Sequence, residues 1–186
     1  WILGAMLHLA SVVRRPLEVL ELGASAGLNL AFDEYRYDLG GGRYWGPASG
    51  PLTVECEWRG GTPPLDAPLS VIDRVGCDLR PIDPGSADDR ARLISYIWAD
   101  QLHRLHRAEA ALAHAARLGR KVDRADAADW LEQKLAALDG AADPTAVVTT
   151  EASGPYQAIV LLTDGNTTEG ATLDAAAAEA VDRDVP

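Results

Sequence analysis

Residues 20–30 read 20-LELGASAGLNL-30, and together with the preceding Pro16-Leu17-Glu18-Val19 they decide the fold. An apolar strand breaks at a Gly-Ala-Ser-Ala-Gly turn, and a helix is expected to open at Gly27 and run through Asn29 and Phe32 to about Glu34. A turn of this kind exposes backbone N–H groups at a helix N-terminus, where the helix dipole favours an anion or a polar ligand. Gly23 supplies backbone angles closed to other residues, and Gly27 lets a ligand or the strand approach the helix closely. Glu21 is an acid inside an otherwise apolar strand, where burial is costly without a partner.

Three other uses of this turn compete. Gly23-x-Ser25-x-Gly27 after a strand fits the nucleophile elbow of an α/β hydrolase, a fold that needs a histidine late in the chain. The histidines are His8, His103, His106 and His114, so none follows residue 114. A dinucleotide site wants an acid about 20 residues beyond the turn, and residues 40–51 hold none. The third use is glycine serving only to pack strand against helix.

Working outward, a chain of 186 residues is long enough for one α/β domain with its own core. A single Phe and a single Met leave Ala, Leu, Val and Ile to build that core. The net charge of −11, with no local cluster of Lys and Arg to offset it, argues against nucleic acid and against an anionic membrane surface. Cys56 and Cys77 have no His or Cys at ligand spacing, so no metal site is assigned, and reduced thiols fit a cytoplasmic protein. Residues 1–10 are apolar but too short to span a bilayer, and they lack the basic leading region of a signal peptide. They read as the end of a helix cut upstream, which makes the chain a fragment.

Further elements follow from pattern. Residues 35–38 and 43–45 around Gly40-Gly41-Gly42 predict a β-hairpin. Residues 52–58 alternate and predict a half-exposed strand, and residues 77–82 a short strand ending at Asp83-Pro84. Residues 88–118 carry apolar positions at helical spacing, as one helix or two broken near Ala99, with His103, His106 and His114 on a solvated face. Residues 121–126 predict a strand, 127–138 a helix closed by Asp139-Gly140, and 145–150 a further β-rich run.

The first motif resembles that of class I methyltransferases, which bind S-adenosylmethionine, although Ser25 stands where that pattern usually has a middle glycine. The resemblance implies that Glu21, Gly23, Ala24, Ser25 and Gly27 hold the amino-acid part of the cofactor, Asp83 the ribose, and Asp126 with Ala127 the adenine. An aspartate at a strand end also serves as a helix N-cap, which is the alternative for Asp83 and Asp126. More closely, LELGASAGLNL, YRYDLGGGRYWGPAS, ECEWRG, GCDLRPIDP, IWADQLHRL and VDRADAADWLE resemble the family called domain of unknown function 2332, over about residues 1–148. Ala99 departs from it where a proline is expected. That resemblance implies an α/β, three-layer Rossmann-like, methyltransferase-like sheet, truncated at both ends and carrying a small β-hairpin insertion. It brings no established activity.

Residues 151–186 resemble part of a von Willebrand factor A domain: an apolar strand, Thr163-Asp164-Gly165, then an amphipathic helix. The aspartate matching Asp164 belongs in that family to a magnesium site that also needs Asp-x-Ser-x-Ser, and this chain contains no such sequence. The expectation is therefore a chimera of two gene pieces joined near residues 143–156, with domains 1–148 and 151–186. The run Ile159-Val160-Leu161-Leu162, apolar on both faces, is still able to dock as a strand. The functional expectation is a small-molecule site for S-adenosylmethionine in a methyltransferase-like domain, with no catalytic residue assigned. The alternatives are a non-catalytic fold relic or binding module, and a piece of a metal-dependent adhesion module.

Overall fold

A computed structural model of the chain describes residues 2–56, 58, 61–139 and 158–163. Helix α1 (Ile2–Val13) leads into strand β1 (Leu17–Leu22). In a strand, successive side chains point to opposite faces. Leu17 and Val19 therefore pack on one face with Met6 of α1, Leu30 and Phe32. Leu20 and Leu22 pack on the other with Cys77 and with Trp130 of α4 (Ala127–Asp139). A strand covered on both faces has to be apolar throughout, which is why β1 reads as a nearly unbroken hydrophobic run.

Strand β5 (Val71–Asp78) lies parallel to β1, with Leu20 opposite Val75 and Leu22 opposite Cys77. Strand β6 (Asp123–Arg124) extends the sheet beyond β5, and β7 (Ala158–Thr163) pairs parallel with the other side of β1. The spatial order is β6-β5-β1-β7. The chain thus builds outward from β1 in one direction and then returns to its other flank. The α/β class expected from the sequence is the class found, and the apolar run of the tail docks as a strand. A second, smaller sheet has the order β3-β2-β4. It contains the expected hairpin, β2 (Arg36–Asp38) against β3 (Tyr44–Trp45), with β4 (Thr53–Glu55) parallel to β2.

Three expectations change. The helix after the turn is a six-residue 3-10 segment, Asn29–Glu34, with Ala31 outside helical angles. Two phenols bond carbonyls of this stretch from outside it: Tyr35 Oη donates to Leu28 O at 2.7 Å and Tyr37 Oη to Phe32 O at 2.9 Å. The strand expected at 77–82 lies instead at Val71–Asp78. Asp73 and Arg74 interrupt its apolar pattern, but Arg74 is held by Asp33 and by Leu30 O, so the strand runs on through them. It ends where the Asp78 carboxylate accepts the N–H of Arg80 at 2.7 Å, with Pro81 next in the chain. Of the two forms expected for 88–118, the broken one is found: α2 (Ala87–Ser95), capped by Ser86, and α3 (Leu102–Leu118). His103 and His106 are exposed, but His114 is only 8% exposed and lies inside the fold, not on a solvated face. The runs 145–150 and 164–186, including Asp164, lie outside the described residues. Among the described residues no helix is long and apolar enough to cross a membrane.

Candidate functional site

The Gly-Ala-Ser-Ala-Gly turn sits at the carboxyl end of β1 and is stitched to the end of β5. Gly23, Ser25 and Gly27 have φ of 69°, 53° and 64°. Glycine adopts this left-handed region freely, while a non-glycine residue there is strained and has to be held by its surroundings. Ser25 is held by Asp78, whose Oδ2 accepts the Ser25 N–H at 2.9 Å, and by Ile82, whose N–H donates to Ser25 O at 3.0 Å. That clamp explains how serine occupies a position where the methyltransferase pattern has glycine. Ala24 N–H donates to Cys77 O at 2.9 Å and Gly27 N–H to Ala24 O at 2.7 Å. Of the turn amides, Gly27 N–H is therefore spent inside the turn and those of Ala24 and Ser25 on the end of β5, so these three are not available to an anion, and the segment that follows is a short 3-10 turn instead of the expected helix.

Asp78 is the residue that sequence reasoning missed. Placing the strand at 77–82 put Asp78 inside it and Asp83 at its end. The real strand end leaves Asp78 beside the turn, half-buried, between Ser25 and Arg80. Gly76 makes this contact possible. A Cβ on Gly76 would lie 2.7 Å from the Ala24 methyl and 3.2 Å from Glu21 O.

The other expected residues gather at the same sheet edge with local partners. Glu21 is 4% exposed, and its carboxylate accepts from Asn29 Nδ2 at 2.7 Å. Asp83 is exposed; its Oδ1 accepts from Gly85 N at 2.8 Å and its N–H donates to Asp89 at 2.8 Å, which makes it a turn residue ahead of α2. Asp126 is exposed, and its Oδ1 accepts from Ala128 N at 2.9 Å, capping α4, of which Ala127 is the first residue. Ala125 N–H donates to Asp78 O at 3.2 Å and so brings this cap next to β5. Beside the turn lies a cavity of about 210 Å³ lined by Ser25, Asp78, Arg80, Ile82, Arg92 and Tyr96. Arg92 reaches Pro81 O at 3.0 Å and Asp89 at 3.1 Å, yet its buried Nε has no partner among the described residues. Burial pushes the Cys77 thiol up to about 11, so it is a packing residue and not a nucleophile at neutral pH.

A second polar cluster ties the 3-10 segment to its neighbours. Glu34 meets Arg120, Arg74 at 3.5 Å and His114 Nε2 at 2.5 Å. Arg117 Nη2 lies 2.7 Å from His114 Nδ1. Arginine only donates, so Nδ1 accepts and Nε2 carries the proton given to Glu34. Burial alone would raise the Glu34 carboxyl, but the hydrogen bonds from Arg120 and His114 and the charges of Arg120 and Arg74 outweigh it and hold the group below its usual 4.5. A lowered folded value stabilises the protein above pH 4.5, and that contribution is lost as pH falls through the folded value. Acid titration followed by circular dichroism should therefore show a stability loss below pH 4.5 that Glu34→Gln makes shallower. An unchanged acid limb in Glu34→Gln would remove this cluster from the account.

A family model described as an uncharacterized protein conserved in bacteria (DUF2332) matches residues 1–184. The chain belongs to this family. The match takes in the turn, Asp78, Asp126 and the Glu34 cluster, and it runs past residue 148 through most of the 151–186 segment. No curated protein and no solved structure matches the chain. For this DUF2332 member, the described site offers one half-buried carboxylate, two cavity-lining guanidinium groups and a strained turn held rigidly between them. Groups of this chemistry are able to hydrogen-bond hydroxyl or anionic groups.

Proposed function

We propose that this DUF2332 chain binds S-adenosylmethionine or a related nucleoside at the carboxyl edge of β1 and β5, in a Rossmann-like domain. Asp78 is the observation that carries the reading. In open α/β sheets, ligands bind beyond the carboxyl ends of the strands, where the strand order reverses. The order β6-β5-β1-β7 reverses at β1, and Asp78 stands at the end of the neighbouring strand. An ionised carboxylate offers about four acceptor directions. Ser25 N–H and Arg80 N–H use two contacts, one on each oxygen, which leaves acceptor capacity for a pair of ribose hydroxyls. Asp78 takes this role in preference to Asp83 because it ends β5 and contacts the turn at Ser25, while Asp83 lies in the turn ahead of α2 and does not line the cavity. Arg92, which lines the adjoining cavity, suits a carboxylate. When bound, S-adenosylmethionine supplies an electrophilic methyl group, and positioning and desolvation carry much of that chemistry.

Thermal unfolding with S-adenosylhomocysteine tests the reading. At one hundred times the dissociation constant, linkage predicts about 2.7 kcal/mol of stabilisation. Asp78→Asn keeps an acceptor for Ser25 but loses the charge, and should weaken binding by roughly 1–3 kcal/mol. Asp83→Ala should leave binding nearly unchanged. A folded protein that shows no shift with this or other nucleosides overturns the proposal. A second reading, a non-catalytic relic or binding module, draws support from the turn amides being bonded within the turn and to β5 and from Asp126 capping α4. It expects no nucleoside shift at all.

A further inference from the structure

On the other side of Tyr96 from the strand-end cavity lies a larger groove of about 620 Å³, between the 3-10 segment, the small sheet and α2–α3. Its size falls within the ordinary range of small-molecule sites, about 300–1,000 Å³. Leu28, Phe32, Tyr35 and Leu93 give it an apolar and aromatic body. Charge enters from one side only as cation and from the other only as anion: Arg104 and Arg107 on α3, and Glu55 on β4. Arg107 is half-buried and makes no hydrogen bond or ion pair among the described residues, and Arg104 bonds only the neutral Gln101, at 2.7 Å. In a chain of net charge −11, two arginines that form no ion pair among the described residues line an apolar groove. A partly buried guanidinium group such as that of Arg107 is stabilised by an anionic partner, and a bidentate carboxylate matches its fork. Tyr96, 74% exposed on the connection between the two helices, adds an aromatic ring to the lining.

We infer that this groove binds a small amphipathic carboxylate, its apolar body against Leu28 and Leu93 and its acidic head on Arg104 and Arg107. The inference does not depend on the nucleoside reading, since its residues and its ligand chemistry are separate, although Tyr96 borders both sites.

Calorimetry of the full chain with decanoate, in the absence of any nucleoside, tests it, with decanamide as the uncharged probe of the same length. Decanoate should bind, and decanamide should bind roughly tenfold or more weakly, because a charge-assisted hydrogen bond is replaced by a neutral one. Arg107→Gln should weaken decanoate by a similar factor, and Arg104→Gln/Arg107→Gln should bring the two probes together in affinity. Both positions lie on the helix side that meets the groove, so circular dichroism should show the variants folded. Ala108→Phe is the independent steric variant, since Ala108 lines the groove, and it should block both probes. Three results overturn the inference: no binding of decanoate, equal binding of the amide by the unmutated chain, or undiminished decanoate binding by the double variant. Loss of decanoate binding while S-adenosylhomocysteine still stabilises the chain would refute this inference alone. The reverse result would refute the nucleoside reading alone.

Discussion

Phe32→Ala is expected to lower the unfolding free energy by about 3–5 kcal/mol, the usual cost of removing a buried aromatic ring. Phe32 is 1% exposed and packs with Met6, Leu17, Val19 and Leu30, so its ring joins α1, β1 and the 3-10 segment in one cluster. It is also the single phenylalanine of the chain, with no second ring of its type to share the load. Native domains are stable by only about 5–15 kcal/mol, so the loss is a large part of the total. Urea unfolding should show a lower midpoint with an unchanged slope. A loss below about 1 kcal/mol would mean that the neighbours collapse into the space, or that this cluster does not close as described.

Gly76→Val is the second large effect, and it runs against local preference. Valine favours strands and glycine does not. Propensity alone would therefore expect stabilisation at this position in β5. The geometry expects the opposite, since a Cβ would stand 2.7 Å from the Ala24 methyl and press on the turn that Asp78 clamps. Overpacking of this kind typically costs about 1–3 kcal/mol. The turn would have to move away from β5, so nucleoside binding should be lost as well. The milder Gly76→Ala should be destabilising in the natural background and partly rescued by Ala24→Gly, a coupling that a double-mutant cycle measures. Additive effects of Gly76→Ala and Ala24→Gly would show that the close approach is not what glycine provides there.

The legible parts of this fold were those written in local pattern. The apolar run before Gly23, the glycine turn between Asp38 and Arg43, and the break between α2 and α3 each carry a signal within a dozen residues, and each is found. That Ala158–Thr163 is able to dock as a strand was legible from its apolar character, but its place beside β1 was not. What the sequence hid is long-range. Arg74 looked like the end of apolar character, because its partner Asp33 lies 41 residues away. The strand was consequently placed six residues late, which set Asp83 at its end in place of Asp78. His114 looked solvated, because its partner Glu34 is 80 residues distant. The helix after the turn looked regular, because nothing in its own residues announces the short 3-10 segment found there. Asp126 and Asp83 both lie just beyond strand ends, and their carboxylates accept from the backbone amides beside them.

The central claim is that the turn after β1 and the acid at the end of β5 form one nucleoside site. The most direct measurement is the amide NMR spectrum of the chain, labelled with nitrogen-15, titrated with S-adenosylhomocysteine. The account predicts saturable shifts concentrated at residues 23–27 and 78–82, and little change at Arg107 or Tyr37 across the neighbouring groove. It also predicts that Asp78→Asn moves the titration to higher ligand concentration without displacing the pattern. A spectrum unchanged by the ligand, or shifts that leave residues 23–27 and 78–82 untouched, would contradict it.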